Sequence, residues 1–220
     1  MTFCPRSARP DCPHSSGRIR FRLWTDEDNA CFRRLNGDPR VMRFFPSPLS
    51  AAASDTLLKR FMTHQQEEGF GVWPVEVCEE GTGRCGEEAG TARDIPRFAG
   101  FAGLLRVRFI PPFRLYSSHQ PVEIGWRFLP EFWGRGLACE AARACLSFAF
   151  RELGLEEVIS FTAVSNTPSR RLMVRLGMTR DPEDDFDHPS LPDDHPLLRH
   201  VLYRLTREEF LHTKRAFERI

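Results

Sequence analysis

The chain has 220 residues, with 31 Lys and Arg against 30 Asp and Glu and a net charge of +1. That length suits one well-buried domain. The balanced charge gives no net electrostatic attraction to nucleic acid or to an anionic membrane. No apolar run approaches the length of a membrane span and the start lacks the apolar core of a secretion signal, so we predict a cytoplasmic protein without direct nucleic-acid or membrane partners.

The first third of the chain predicts an arm, a strand and two helices. Residues 1–17 are rich in Pro, Ser and Arg without a period, which is typical of a flexible arm. Apolar residues alternate with arginines over 19–23, as expected for a half-buried strand. Helices should follow over 25–35, where Asn-Gly-Asp-Pro ends the pattern, and over 50–68, where a serine begins it.

Three strands and one insertion are predicted in the middle of the chain. The second strand should cover 71–77, with Pro74 indicating an edge position or a bulge. Residues 79–95 are mostly Glu, Gly, Thr and Arg with almost nothing to bury, so we expect a flexible insertion. The third strand should cover 98–105. The fourth, Val122–Phe128, alternates apolar and polar residues, which is the period of a strand with two different faces.

A glycine-containing turn and a long amphipathic helix follow the fourth strand. Gly134 and Gly136 allow positive φ and let a ligand approach the main chain where the helix begins. The first turn of a helix has unpaired N–H groups and a partial positive charge, so it suits a phosphate, and Arg135 adds a full charge. A P-loop and a dinucleotide fingerprint both fit poorly, because Gly-Lys-Ser/Thr and a third glycine are absent. On spacing alone, a plain turn stays an equal alternative.

The last third of the chain predicts two further strands and two helices. A fifth strand should cover 158–163, and a short helix should cover 168–176. A long loop rich in Pro, Asp and His follows over 181–196. Alternation returns over 199–205, before a terminal helix. This order of elements describes a mixed sheet flanked by helices.

Two segments together point to a known family. The run Trp133-Gly134-Arg135-Gly136-Leu137-Ala138 resembles the acetyl-CoA signature of the GNAT superfamily, with Trp133 where Gln or Arg is usual. Residues 166–178 resemble the Asn-x-x-Ser-x-Arg…Leu-Gly-Met pattern of its ribosomal-protein N-terminal acetyltransferase (RimJ/RimL-type) branch. The likeness extends over about 18–205. It implies one domain over 18–220 with an α/β (α+β) fold, whose mostly antiparallel central sheet has splayed fourth and fifth strands.

The resemblance implies that acetyl-CoA is the co-substrate and that no metal is needed. In GNAT proteins the pantetheine arm pairs with the open edge of the fourth strand, and the pyrophosphate lies at the start of the long helix. The residues implied for the cofactor are Trp126, Arg127, Phe128, Gly134, Arg135, Gly136, Leu137, Ala138, Cys139, Asn166 and Ser169. For Asn166 and Ser169, capping of the short helix is an equally open interpretation.

The resemblance also indicates candidate catalytic residues for an N-acetyltransferase. Glu123 is the candidate base, because it corresponds to an acidic residue common in this branch. The alternative is a salt bridge between Glu123 and Arg127 or another nearby arginine. Many GNAT enzymes carry a Tyr as general acid in the short helix, and this chain has Met173 there. The departing thiolate would then take its proton from Ser169 or from water.

The acceptor amine is either a protein N-terminus or a small amine. Phe44 and Phe45 lie in the connection that covers the acceptor side in GNAT folds, so they form either a wall of the substrate pocket or part of the core. The loop over 181–196 would attract cationic amines if it bordered that pocket. His188, His195 and His200 lie in or beside the loop. With its aspartates they are either metal ligands or members of a hydrogen-bonded loop network, which we favour.

A second hypothesis is a non-catalytic acyl-CoA-binding or regulatory module of the same fold. The missing Tyr favours this module, whereas the two intact cofactor segments argue against it. Binding of acetyl-CoA without turnover on any amine would favour it. The sequence leaves open whether the protein is a monomer or a dimer.

Overall fold

The computed structural model describes the chain in four segments, which are residues 12–78, 97–110, 112–113 and 120–217. The predicted insertion over 79–95 and the first part of the predicted arm over 1–17 lie outside these residues. Side chains are described up to residue 212.

Within those segments, seven strands form one sheet in the order β1-β2-β3-β4-β5-β7-β6. The strands are β1 Ile19–Phe21, β2 Val72–Val77, β3 Arg97–Arg106, β4 Val122–Phe128, β5 Glu157–Ala163, β6 Phe186–Asp187 and β7 Arg199–Thr206. Each neighbouring pair is antiparallel except β4 with β5, which is parallel. The predicted mixed, mostly antiparallel sheet is therefore confirmed. The sequence analysis missed β6, because two residues inside a loop have no period to detect.

Helices cover both faces of this sheet. They are α1 Asn29–Gly37, α2 Pro39–Met42, α3 Ala51–Glu68, α4 Leu137–Arg151, α5 Thr167–Arg175 and α6 Arg207–Phe217. Phe101 of β3 packs against Phe32 of α1 and Phe61 of α3. Trp73 is paired with Ala102, the next residue of β3, and contacts Phe148 of α4. Since neighbouring residues of a strand point to opposite faces, α4 lies across the sheet from α1 and α3. No helix in the described segments is long and apolar enough to span a membrane.

The ends of α3 show why its predicted bounds agree with the structure. The hydroxyl of Ser50 accepts a hydrogen bond from the N–H of Ala53 at 3.2 Å, which caps the first turn. At the other end Gly69 has a φ of 71°, a left-handed conformation that favours glycine. In β2, Pro74 lies next to a register shift between Val75 and Glu76, so the predicted bulge is present.

β4 and β5 separate soon after they meet. Their parallel pairing in the described residues consists of Glu123 with Ile159. Next to that pair, the hydroxyl of Ser160 donates a hydrogen bond to the carbonyl oxygen of Ile124 at 2.9 Å. Beyond Ile124 the two strands diverge, so the predicted splay is confirmed and β4 has a free edge.

The structure differs from the predicted arm over residues 12–17. Pro13 is buried, and the hydroxyl of Ser15 accepts a hydrogen bond from the N–H of Phe21 at 3.1 Å. The hydroxyl of Ser16 donates to the carboxylate of Glu140 in α4. A composition rich in Pro and Ser suggested a loose segment, but these contacts attach its end to the domain.

Candidate active site

A cavity of about 1100 Å³ opens where β4 and β5 separate. Its walls come from β4, the turn before α4, the start of α5, the connection between α1 and α3, and the loop before β7. The predicted cofactor residues in its lining are Trp126, Arg127, Phe128, Gly134, Gly136, Leu137, Ala138, Cys139, Asn166 and Ser169. Glu123, Phe44 and Phe45 also line it, so one cleft brings the predicted cofactor and acceptor residues together.

The turn before α4 is open to this cavity. Gly134 and Gly136 have φ values of 72° and 79°, which explains the need for glycine at both positions. A Cβ atom at Gly134 would meet nothing within 4 Å, and one at Gly136 would meet only Nη2 of Arg18 at 3.9 Å. The described residues therefore leave room beside both glycines for a ligand to approach the main chain.

The first turn of α4 presents main-chain donors to that space. Gly136 is the N-cap, and the N–H of Glu140 makes the first intrahelical bond, to the Gly136 carbonyl at 3.1 Å. The N–H groups of Leu137, Ala138 and Cys139 precede that bond, so they have no acceptor within the helix. Together with the helix dipole, they can bind an anion.

Arg135 is the one predicted cofactor residue outside the cavity lining. Its guanidinium lies over the ring of Phe132, with 5.8 Å between Cζ and the ring centroid. Its carbonyl oxygen accepts a hydrogen bond from Nη1 of Arg18 at 3.3 Å. The side chain of Arg135 is exposed, and Phe132 itself lines the cavity, so the contribution of the Arg135 charge to a phosphate site stays a prediction.

The free edge of β4 carries main-chain groups of alternate residues. The N–H of Leu129 donates to the carbonyl of Ala99 at 2.8 Å. In an antiparallel ladder, alternate residues bond to the same neighbour, so the main chain of Arg127 also faces β3. The main chains of Trp126 and Phe128 face the gap toward β5. The assignment of Arg127 as a main-chain partner of the pantetheine arm is thus corrected, and only its side chain borders the cavity.

Trp133 connects the strand to the turn. Its Nε1 donates a hydrogen bond to the carbonyl of Phe128 at 2.7 Å, and the side chain is 45% exposed. This bond occupies one of the free acceptors of β4 and leaves the N–H and carbonyl of Trp126 at the open edge. The sequence analysis noted Trp133 only as a departure from the usual Gln or Arg, because its partner is a main-chain atom.

The start of α5 confirms the capping interpretation of Asn166. Its Oδ1 accepts from the N–H of Ser169 at 3.3 Å, and its Nδ2 donates to Oγ1 of Thr162 at 2.9 Å. Capping and lining of the cavity are compatible, so the cofactor contacts of Asn166 and Ser169 stay predictions. Met173 is buried and also lines the cavity, in the place where a general acid was sought.

Glu123 is an isolated carboxylate in the cavity wall. Among the described residues it forms no salt bridge, and its side chain is partly exposed. Burial against the surrounding protein raises the pKa of Glu123 to about 8. Arg127 is four residues further along the strand, roughly 13 Å away at about 3.3 Å per residue. Within the part of the chain that the structure describes, Glu123 therefore has no arginine partner, which argues against the salt-bridge alternative.

The side chain of Arg127 has neutral partners instead. Its Nη1 donates to Oδ1 of Asn36 in α1, and its Cζ lies 4.2 Å from the ring centroid of Phe45 and 5.3 Å from that of Phe101. Its Nε is buried without a hydrogen-bond partner. Burial lowers the pKa of Arg127 to about 10. Asn36 is a contributor that the sequence analysis did not identify.

Phe44 and Phe45 form a wall of the cavity. Phe45 is 41% exposed, and Phe44 is half-buried with Cζ of Arg43 at 4.5 Å from its ring centroid. Neither belongs to the buried core, which corrects the alternative that they are core residues. Their exposure to the cavity supports the interpretation as a pocket wall.

The loop over 181–196 borders the cavity, but its carboxylates do not line it. Asp184 accepts from Nε of Arg204 at 2.9 Å, and Asp185 pairs with Arg180. The lining residues of this loop are His188, Ser190 and Leu191. The loop thus borders the cavity, as the hypothesis required, and its attraction of cationic amines stays a prediction.

The histidines of this region belong to a loop network, as we favoured. Nδ1 of His188 accepts from the N–H of Ser190 at 3.3 Å, and Nδ1 of His200 lies 3.0 Å from the carbonyl oxygen of Leu198. Burial lowers the pKa of both imidazoles. In the described segments, no group of three or more His, Cys, Asp or Glu has the arrangement of a metal site.

Residues 18–179 match the family model for an acetyltransferase (GNAT) domain. The chain is 43% identical to FsC-acetyl coenzyme A-N(2)-transacetylase of Aspergillus fumigatus, over 40% of this chain and 37% of that protein. It is 33% identical to the uncharacterized N-acetyltransferase YnaD of Bacillus subtilis, over 44% of this chain and 56% of that protein. It thus aligns with less than two thirds of either relative.

The fold resembles that of an acetyltransferase (GNAT family) from Bacillus anthracis. The two have a TM-score of 0.65 and 23% identity, over 90% of this chain and 99% of the other. The family inferred from the two sequence segments is confirmed, whereas its ribosomal-protein branch stays a prediction. With the family model covering most of its length, the chain belongs to the GNAT acetyltransferase family.

Proposed function

We propose that this protein transfers an acetyl group from acetyl-CoA to a primary amine by direct attack in a ternary complex. The observation that carries the proposal is the free main-chain edge of β4, which lies between the open start of α4 and the isolated carboxylate of Glu123. Family membership and the acetyl coenzyme A in the name of the Aspergillus fumigatus relative support it.

The cofactor would lie along the cleft from α4 to β4. The N–H groups of Leu137, Ala138 and Cys139 would bind the pyrophosphate, and the two glycines before them would let it approach the main chain. The main chain of Trp126 and the N–H of Phe128 would pair with the pantetheine arm. Asn166 and Ser169 would add contacts from the start of α5.

The chemistry requires a neutral amine near the thioester. The amine nitrogen attacks the carbonyl carbon, and an N–C bond forms as the C–S bond breaks, which leaves an amide and CoA. The N–H of Trp126 is our candidate donor to the oxyanion. The proton lost by the amine goes to Glu123, directly or through a water molecule. A carboxylate with a pKa of about 8 is well matched to this role near neutral pH.

The leaving thiolate then takes a proton from Ser169 or from water. Ser169 lines the cavity, whereas Met173 has no proton to donate. A thiolate is a good leaving group, so a strong general acid is unnecessary for turnover. The acceptor itself, a protein N-terminus or a small amine, is a separate part of the proposal.

Two measurements on the same preparation test this function. Calorimetry should detect binding of acetyl-CoA, and a thiol reagent should detect CoA release with a panel of small amines and peptide N-termini. Turnover that depends on the amine supports the enzyme. Binding without turnover on any acceptor would favour the acyl-CoA-binding module, for which the Met at position 173 is the motivating observation.

A further inference from the structure

The described wall of the cavity is strongly asymmetric in charge. Glu123 is its only carboxylate within the described residues, and the arginines in the same wall are Arg40, Arg43, Arg60, Arg127, Arg171 and Arg175. Arg40 is paired with Asp38. Arg171 and Arg175 belong to α5, beside the proposed cofactor residues. The remaining three lie on the side of the cavity formed by β4 and the segment from α2 to α3.

Arg127 is the most confined of these cations. Its guanidinium is held between the rings of Phe45 and Phe101, and its one hydrogen-bond partner among the described residues is the neutral side chain of Asn36. Its Nε is buried and unpaired. A confined charge is unfavourable without a counter-ion, and the described residues supply none, so this position favours a ligand that brings one.

The geometry around Arg127 is fixed before any ligand arrives. Asn36 is fully buried, and its Nδ2 donates to the hydroxyl of Ser54 in α3 at 2.9 Å. That bond directs Oδ1 of Asn36 toward Arg127. Asn36 therefore orients the guanidinium of Arg127 without neutralising its charge. This arrangement preorganises Arg127 for a bidentate salt bridge to a carboxylate.

Two further arginines extend the positive wall. Burial, together with repulsion by Arg108, lowers the pKa of Arg60 in α3. Arg43 lies over the ring of Phe44. Among the described residues neither Arg43 nor Arg60 pairs with a carboxylate. No described carboxylate therefore offsets this part of the wall.

The cofactor phosphates are poorly placed to neutralise Arg127. In the register of the sheet, Arg127 is opposite Phe101, which faces α1 and α3. The proposed pyrophosphate site is at the start of α4, and α4 packs on the other face of the sheet. The anion that complements Arg127 should therefore come from the acceptor.

We propose that the acceptor is an amine that also carries a carboxylate, separated from it by an apolar stretch. The amine lies at Glu123, the carboxylate binds Arg127, and the apolar stretch lies in the cavity between them, near Phe45. Since the two residues are four positions apart on one face of β4, amine and carboxylate must be several bonds apart. This inference rests on the proposed acetyl transfer and specifies the acceptor for the same site.

A pair of matched acceptors tests the proposal. The acceptor 6-aminohexanoate carries a carboxylate, and 6-aminohexanamide has the same amine and chain with a neutral end. The wild-type protein should acetylate the carboxylate with kcat/KM at least about tenfold higher, the value of one charge-assisted hydrogen bond. Arg127→Met should reduce this ratio to about one, whereas Arg151→Met, at an exposed position in the last turn of α4, should leave it unchanged.

Several outcomes would overturn the carboxylate acceptor. Equal kcat/KM values for the two compounds in the wild-type protein, and in shorter and longer pairs of the same series, would do so. A preference that survives Arg127→Met would remove Arg127 from the site. If Arg127→Met does not fold, Arg127→Gln, which keeps a polar side chain but not the charge, gives the same comparison.

The test separates this inference from the proposed function. CoA release with the amide form and no preference for the acid would keep the transferase and reject the carboxylate acceptor. No release with any amine would reject the transferase. In that case, calorimetric titration of the CoA-bound protein with the two compounds still decides whether the cavity selects a carboxylate.

Discussion

The carboxyl group of Glu123 combines access to the cavity with the lack of a cationic partner among the described residues. A paired carboxylate would be ionised at neutral pH and would be a weak base. Desolvation without a partner has the opposite effect, because it favours the protonated form and raises the pKa of Glu123 to about 8. The residue that the family resemblance selected thus has a physical property suited to accepting a proton from an amine.

The pH dependence of catalysis should report this group. In the free protein, kcat/KM should rise with pH and level off above a pKa of about 8 as Glu123 ionises. Glu123→Gln should lower kcat by roughly 10²-fold or more, the usual range for a positioned base. Steady-state rates at several pH values with one acceptor measure both effects. The ionisation of the acceptor amine affects both proteins equally. Any pH dependence of the rate that remains in Glu123→Gln therefore belongs to the acceptor.

The same group should make stability depend on pH. The pKa of Glu123 is about 8 in the folded protein, against 4.5 for a solvated glutamate, so between these pH values the folded state holds a proton that the unfolded state has lost. The free energy of unfolding of the wild-type protein should then fall as pH rises through this window, and Glu123→Gln should not share that loss. The variant should gain up to ~4 kcal/mol relative to wild type by pH 8, and less where cavity water solvates the carboxylate.

Urea unfolding at pH 5 and pH 8.5 measures this difference. The excess stability of Glu123→Gln should be small at the lower pH and large at the higher. An equal difference at both pH values would show that the Glu123 carboxyl titrates normally, and the case for it as a base would lose its physical support.

At the scale of elements, the turn before α4 is the most demanding segment. Its glycines hold left-handed φ values, and the described residues leave room beside them. Gly136→Asp should abolish measurable acetyl-CoA binding, because it places a carboxylate against the proposed pyrophosphate. Gly154→Asp is a matched control, since Gly154 also has a positive φ of 67° with nothing within 4 Å of an added Cβ, and it does not line the cavity.

Calorimetric titration with acetyl-CoA compares these two variants. Both substitutions carry the backbone strain of a non-glycine residue at positive φ, about 1 kcal/mol of stability. Only Gly136→Asp should lose the cofactor. Normal binding by Gly136→Asp, or equal losses in both variants, would mean that the turn is structural and not a binding site.

The bond between Trp133 and β4 offers a milder test of the same element. Trp133→Phe keeps an aromatic ring but removes Nε1, so the carbonyl of Phe128 loses its donor at 2.7 Å. The lost bond is worth about 1 kcal/mol, and acetyl-CoA affinity should weaken about fivefold as the turn loses its attachment to the strand. Isothermal titration measures the dissociation constant. An unchanged constant would show that the turn keeps its position without this bond.

Over the whole molecule, the sequence predicted those features that depend on local patterns. The alternation of apolar and polar residues predicts the strand Val122–Phe128. The serine before α3 marks the start of that helix by capping it, and the glycines before α4 mark a turn that needs positive φ. The proposed cofactor side of the cavity comes from one continuous strand, turn and helix.

Features that depend on distant partners were not predictable in this way. Which way the main-chain groups of Arg127 point follows only from the register of β4 with β3. The side chain of Arg127 contacts Asn36, which is 91 positions earlier in the chain. The acidic loop shows the same dependence. Its composition shows a surplus of carboxylates, but the partner of Asp184 is Arg204, which reaches it from β7.

The proposed transfer requires one cleft that joins the start of α4, the free edge of β4 and Glu123. A crystal structure of the protein with bound CoA tests it most directly. We expect the pyrophosphate within hydrogen-bond distance of the N–H groups of Leu137, Ala138 and Cys139, and the pantetheine arm paired with the main chain of Trp126. A structure with CoA bound elsewhere, or with β5 paired along the full length of β4, would contradict it.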